Sequence, residues 1–213
     1  MKTERTRLRR MPDRGQYDQE TVYAILDAMP MCHIGYVDTF GTPAVMPTLQ
    51  WREGNNVYWH ASSGARSLKA MKGKDICLTV TLLDGFVLAR SAMHHSVNFR
   101  STMIYGKAFA VTDPNLKTKH LAAMVNQLYP GRWDKLRPMS EIELKQTTVF
   151  GMEINEASAK IRTGGVSDDE EDLDFPTWSG VVPLSFHIGT PIDDEHNKTD
   201  APMGDDIRAI KLG

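Results

Sequence analysis

Between Met31 and Val111 the chain is cut into short apolar runs by turn residues, and that rhythm limits the fold more than any other feature of the sequence. Runs at 31–37, 44–52, 57–61, 75–83, 86–90 and 102–111 have strand length and carry β-branched or aromatic residues. Asp38-Thr-Phe-Gly41 and Glu53-Gly-Asn-Asn56 read as the turns between them. Two more strands are expected at 147–154 and 159–163. Helices are inserted among the strands and do not alternate with them. Asp18 can cap a helix carrying Val22, Ile25, Leu26 and Met29, which Pro30 ends. A short helix is expected at 65–72, with Ser62 or Ser63 as its cap. Asp113-Pro114 opens a longer one lined by Leu116, Leu121, Met124, Val125 and Leu128. Ser140-Glu-Ile-Glu143 has the pattern of a capping box. This order does not suit βαβ units, so the expected class is mainly β with inserted helices, closed as a barrel. No GxGxxG and no P-loop is present, which disfavours the nucleotide folds built on those loops.

The chain has 213 residues, enough for one domain with a sizeable core. Three parts are expected: a basic arm at 1–15, a main domain at 16–187, and a mobile tail at 188–213, where Gly, Pro, Asp and Asn dominate. The arm, MKTERTRLRRMPDRG, has six Lys/Arg but no apolar stretch behind them, unlike a secretory signal. Net charge is −2, so no nucleic-acid or anionic-membrane partner is expected. No apolar run nears the roughly 18 residues of a spanning helix. The two cysteines, Cys32 and Cys77, sit far apart in apolar runs, as buried thiols of a reducing compartment would. The cytoplasm is the expected location.

Three segments carry candidate chemistry. In His60-Ala-Ser-Ser-Gly-Ala-Arg-Ser-Leu-Lys-Ala-Met-Lys72, Ser62, Ser63 and Ser67 offer hydroxyls at a helix start and Gly64 lets backbone N–H groups approach. Arg66 can bind phosphate oxygens bidentately, and Lys69 or Lys72 adds charge. The same stretch also serves as an ordinary cap and turn with solvated cations. The second segment, Ala44-Val-Met-Pro47-Thr-Leu-Gln-Trp51, is an apolar strand interrupted by a proline. Proline cannot donate to a ladder, so it marks an edge or the end of pairing. Backbone groups of Met46, Thr48 and Leu49 beside it could meet a planar heterocycle. The third, Ser91-Ala-Met-His-His-Ser-Val-Asn-Phe-Arg-Ser101, is densely polar at the entrance to a strand. His94 and His95 would point to opposite faces and could not chelate one ion together, so no metal site is expected.

Taken in order, these pieces resemble the pyridoxamine 5'-phosphate oxidase-like FMN-binding split-barrel superfamily. The branch is similar to flavin-nucleotide-binding proteins that include the 5-nitroimidazole reductases. The matching stretches are Tyr17-Asp18, Val45-Met-Pro-Thr-Leu49, Val57-Tyr-Trp-His-Ala-Ser-Ser-Gly-Ala-Arg-Ser67 and Thr79-Val-Thr-Leu-Leu-Asp-Gly85. Further along come Leu88-Ala-Arg-Ser-Ala-Met-His-His-Ser96, Asn98-Phe-Arg-Ser101, Tyr105-Gly-Lys-Ala108, Glu156-Ala-Ser-Ala-Lys-Ile-Arg-Thr-Gly164 and Pro176-Thr-Trp-Ser-Gly-Val-Val-Pro-Leu184. The resemblance covers about residues 5–187. It implies a homodimer with FMN at each of two sites across the subunit interface. It also implies that Met46, Pro47, Thr48 and Leu49 lie along the ring, that Arg66 and Ser67 hold the phosphate, and that Asn98, Arg100, Ser101 and Trp178 approach the flavin. Ser67 stands where the oxidase has a lysine, so that charge contact is either absent or supplied by Lys69, and Ser101 stands where it has a glutamine.

The expected activity is FMN-dependent oxidation or reduction of a small molecule, such as a nitroaromatic or a quinone. His60, at the strand end before the phosphate loop, is the candidate proton donor and ring neighbour. The Arg-x-x-x-Arg-Leu pattern that the oxidases use against substrate phosphate is replaced by Trp178-Ser-Gly-Val-Val-Pro-Leu184, which points away from pyridoxine synthesis. Two alternatives stand beside this reading: a non-catalytic flavin carrier or redox sensor, and a haem-binding split barrel in which a histidine ligates iron. FAD and haem rank behind FMN as ligands.

Overall fold

The computed structural model describes residues 1–210 and 212–213. Local signals place the helices well. Asp18 accepts from the Thr21 N–H at 2.8 Å and caps α1 (Gln19–Ala28), whose Val22, Ile25 and Leu26 are buried. Asp113 accepts from the Leu116 N–H at 2.8 Å and caps α3 (Pro114–Leu128). The capping box of Ser140 and Glu143 is present at the start of α4 (Glu141–Gln146). Between them lies α2 (Arg66–Met71), whose N-cap is Ala65, so the expected cap by Ser62 or Ser63 is replaced by a cap without a side-chain bond. The stripe expected on α3 is narrower than its spacing suggested: Leu121 is buried, but Leu116 is 50% exposed.

The strands are β1 (Gly15–Gln16), β2 (Met31–Val37), β3 (Pro43–Glu53), β4 (Asn56–Ser62), β5 (Asp75–Leu88), β6 (Ser96–Lys107), β7 (Phe109–Val111), β8 (Thr147–Glu153), β9 (Glu156–Arg162) and β10 (Gly180–Pro183). They form one sheet, ordered β1-β9-β6-β5-β2-β3-β4-β8-β7, with β10 added on β5. All of these ladders are antiparallel. The separate strands expected at 75–83 and 86–90 are one strand, β5, with a register shift between Leu83 and Gly85. The strand expected at 102–111 begins earlier, at Ser96, and breaks at Ala108 into β6 and β7. β7 then pairs with β8 at the opposite end of the strand order from β6. Only Ala108 joins them, so the sheet must curl round to bring its ends together.

The enclosed core contains Cys32, Ile34, Val57, Trp59, Leu78, Val80, Ile104 and Phe150, with α1 closing one end through Val22, Ile25 and Leu26. A second cluster joins Trp51, Tyr58 and Val149 to Leu121 of α3. Gly151 is required beneath it, because a Cβ there would strike the Phe109 and Tyr58 rings. Cys32 is buried and Cys77 is half-buried, and neither is in a disulfide. Burial pushes the Cys32 thiol up to about 12, so it stays protonated.

Both terminal segments touch the body. Leu8 N–H donates to Tyr17 Oη at 2.8 Å, Arg5 pairs with Glu156, and Thr6 is buried, so the arm lies along β9. Near the other end, Asp205–Arg208 form a helical turn, α5, whose buried Asp206 meets Lys135 at 2.5 Å and Arg132 at 3.2 Å. No helix among the described residues is long and apolar enough to cross a membrane.

Candidate functional site

The site is built on a fork between two strands. β3 pairs with β4 only from Gln50 to Glu53, while its first part, residues 43–49, pairs with β2 alone. Beyond Trp59, β4 continues along β8 through Ser62. From Gln50 and Trp59 onward the two strands therefore diverge, and each keeps one bare edge.

The register decides which groups line that edge. Gln50 N–H donates to Pro30 O at 2.7 Å, on the β2 side. N–H directions alternate along a strand. Met46 and Thr48 therefore face β2, and Val45, Pro47 and Leu49 face the fork. This corrects the expectation that Met46 and Thr48 have free backbone groups; of the residues expected there, Leu49 has them, and Val45 joins it. The side chains of Met46 and Thr48 point the other way from those of Val45, Pro47 and Leu49, and Met46 packs on the core. Proline at 47 is explained by the same geometry: its missing N–H falls on the side where no ladder bond is lost.

His60 sits at the crotch of the fork, one residue past the last β3–β4 pair. It shares a sheet face with Trp51, whose ring centroid is 6.4 Å away. Its Nδ1 is buried without a hydrogen-bond partner. Burial also lowers its pKa below the ordinary imidazole value, so the ring is neutral near pH 7. A buried unpaired nitrogen is costly and calls for a missing partner.

At the open end of the fork, Arg66 and Ser67 at the start of α2 line a cavity of about 160 Å³ with Tyr36, Asp38, Thr39, Phe40 and Ala44. Arg66 is exposed and Ser67 nearly buried. Ser62 and Ser63, also exposed, lie between His60 and this cavity. The Ser63 N–H is taken by Gln146 O at 2.8 Å, which leaves its hydroxyl as the contact it can offer. Lys69 points into a neighbouring cavity with Lys74 and Asp75, outside the fork.

The remaining expected residues are not brought to this fork within one chain. Arg100 is held by Asp84 through two bonds of 3.0 and 2.8 Å. The Asn98 side chain donates to Gly164 O at 3.0 Å and accepts from Arg162. Ser101 lies on the outer sheet face opposite Thr81. The β2–β5 register extended by two residues sets Thr81 beside Met31, which pairs with Leu49. Three strand spacings, about 14 Å, therefore separate Ser101 from Leu49. Trp178 is farther away, 65% exposed and stacked over Gly180, beside the end of β5.

Sequence reasoning picked out the polar run from Ser91 but missed Asp168, Asp169 and Ser179, which join it in a second polar knot near Trp178. Arg90 bonds Asp168 at 2.8 Å and Ser179 at 2.5 Å, while its Nε and the Ser91 hydroxyl are buried without partners. His95 Nδ1 lies 2.9 Å from Ser91 O, and His94 Nε2 lies 3.1 Å from Asp169. Among the described residues no group of three or more His, Cys, Asp or Glu side chains is arranged to hold a metal ion.

The chain resembles the flavocytochrome Anf3 from Azotobacter vinelandii, with 47% identity and a TM-score of 0.95 over 99% of this chain and 98% of that one. It resembles an FAD and haem binding protein from Mycobacterium smegmatis at 28% identity and a TM-score of 0.88, covering 93% and 98% of the two chains. A putative 5-nitroimidazole antibiotic resistance protein from Bacteroides thetaiotaomicron VPI-5482 shares the fold, at 19% identity and a TM-score of 0.59 over 69% and 86%. No curated protein matches the chain. The family pattern described as pyridoxamine 5'-phosphate oxidase matches residues 18–161, spanning the fork, α2 and the outer sheet face. The chain belongs to the pyridoxamine 5'-phosphate oxidase family of flavin-binding proteins.

Proposed function

We propose that this chain is a flavin- and haem-binding oxidoreductase that handles a small-molecule substrate, with FAD as the flavin in place of the FMN expected from sequence. The observation that carries the reading is His60: a neutral ring with an orphaned buried nitrogen, set where the two bare strand edges meet. The relatives that cover almost the whole chain are described as a flavocytochrome and as an FAD and haem binding protein, and this supports a flavin beside haem here.

The fork suits a flavin. Val45 and Leu49 offer backbone N–H groups to ring heteroatoms, and Pro47 leaves a flat, donor-free stretch between them. Arg66 gives a guanidinium fork to a phosphate, and Ser67 a hydroxyl. Leu49 and Trp51 keep water from the inner end. A neutral imidazole is the form that ligates iron, so His60 suits haem better than the proton-donor role expected from sequence. When bound, the two groups would supply hydride and one-electron chemistry, and the protein would supply position and electrostatics.

A homodimer with a site shared between copies, as a split β-barrel pair, fits the separation of the two residue groups. Asn98, Arg100, Ser101 and Trp178 of one copy could complete the fork of another. The outer face carries exposed Met31 (50%) and Val45 (70%), which a second copy would cover. Unpaired Cys32 and Cys77 suit a cytoplasmic setting.

The test is the spectrum of the purified protein and a mass spectrum of the chromophores extracted from it. The expected result is a flavin band together with a Soret band. His60→Ala should shift or abolish the Soret band, while Arg66→Ala should lower flavin content and leave the Soret band in place. A protein that takes up neither added FAD nor added haem would end this reading.

A further inference from the structure

The basic arm has no part in the function proposed above, yet it roofs a cleft of about 420 Å³ on the outer sheet face. The floor is laid down by register. Thr81, Ser101 and Lys160 form one row across β5, β6 and β9, and Thr79, Met103 and Ser158 form the next. The arm closes the cleft with Arg5, Arg7 and Leu8. Three cations and six hydroxyl-bearing side chains therefore surround one space, and no carboxylate lines it. Arg5 is partly neutralised, since it pairs with Glu156, lies 3.7 Å from Asp75 and stacks on Tyr105 at 4.7 Å. No ion pair among the described residues engages Arg7 or Lys160. Two positive charges thus face hydroxyl donors in a recess.

We propose that this cleft binds the adenylate moiety of a nucleotide. Arg7 and Lys160 hold the phosphate, helped by the hydroxyl of Ser158. Leu8, Met103 and the Tyr105 ring provide the apolar wall for a base. The volume is larger than a bare phosphate needs and falls in the range of small-ligand pockets. Two sources share this chemistry: the AMP half of a dinucleotide flavin, and a reduced pyridine dinucleotide. The cleft shares Ser101 with the residues proposed to complete the fork of a second copy, so its dinucleotide-flavin source rests on the proposed function, whereas AMP binding itself does not.

The test titrates AMP into the full chain saturated with FMN, so that no adenylate is carried in with the flavin. Four variants are compared with the unaltered protein: Arg7→Ala, Lys160→Ala, the two combined, and Arg9→Ala, which removes an arm cation paired with Glu4 outside the cleft. The first two should each weaken AMP binding roughly tenfold or more. The combined variant should abolish it, and Arg9→Ala should leave it unchanged. All replaced side chains are at least partly exposed, and a thermal melt checks that the variants stay folded. Displacement of AMP by FAD or by NADH then identifies the source. The proposal is overturned if AMP does not bind the unaltered protein. It is overturned equally if the combined variant binds AMP as well as the unaltered protein does, or if Arg9→Ala weakens binding as much as Arg7→Ala.

Discussion

The two halves of β3 belong to one strand and have opposite fates. Residues 50–53 pair with β4 along one edge, meet Pro30 O and Gln127 Oε1 along the other and are roofed by α3, and Gln50 and Trp51 there are almost completely buried. Residues 43–49 are paired on one side only, with Pro43, Val45 and Pro47 exposed. The first half is committed to stability. The second leaves backbone groups unmet, which a stable strand avoids unless something else is to meet them. The lesson is that a change of partner at a single residue, Gln50, separates scaffold from site.

This contrast can be broken most sharply at Trp51. Trp51→Ala should cost about 3–5 kcal/mol of folding stability in a denaturant titration, since the ring fills the second cluster. A loss below 1 kcal/mol would mean that this half of the strand is not the scaffold. Arg66→Ala acts on the other side of the comparison: flavin affinity should fall by about 1.5–3 kcal/mol in a fluorescence titration, with the melting temperature nearly unchanged. Gln50→Leu sharpens the boundary. Gln50 Nε2 donates to Leu26 O at 2.7 Å and Met29 O at 2.8 Å, so removing it should cost about 1–3 kcal/mol of stability. Val45→Thr, on the bare half, should change stability by less than about 0.5 kcal/mol.

The smallest effect concerns acidity. Burial holds the His60 pKa below its ordinary value near 6.5, so the unfolded chain binds the extra proton more readily. The protein without haem should therefore lose stability as pH falls below about 6.5, and the loss should level off once the folded ring is also protonated. His60→Gln should remove this part of the slope. An unchanged slope between pH 7 and 5 would show that the ring is not buried as described.

Much of this organisation could be read from the residues. Asp18, Asp113-Pro114 and Ser140–Glu143 announce their helices because a cap is a local hydrogen bond within a few residues. Pro47 announced an edge for the same local reason. Which residues face that edge could not be read, because it depends on the pairing of Gln50 with Pro30, which a turn and a helix end set from a distance. β10, with four residues, and β1, with two, are too short to show alternation and exist only through their partners. The start of β6 was hidden by polar Ser96–Ser101, which a strand accommodates once its neighbours are in place. For the candidate site, type and order single out His60, Arg66 and Ser67, and the fold sets them along one fork and its open end. The unmet Nδ1 of His60 was not, since burial and missing partners belong to the packed chain alone. Arg100 looked free in sequence because nothing there shows that Asp84, across the hairpin, already holds it.

The bare border of β3 has one more consequence. Of the four positions whose nitrogens face it, 43, 45, 47 and 49, two are proline. A stray strand seeking to zip onto this chain would find only alternate rungs of the ladder, and amyloid-like stacking is discouraged where the cofactor has yet to arrive. Swapping both prolines for residues with an amide hydrogen would be expected to shorten the time that concentrated, cofactor-free protein stays clear in the tube.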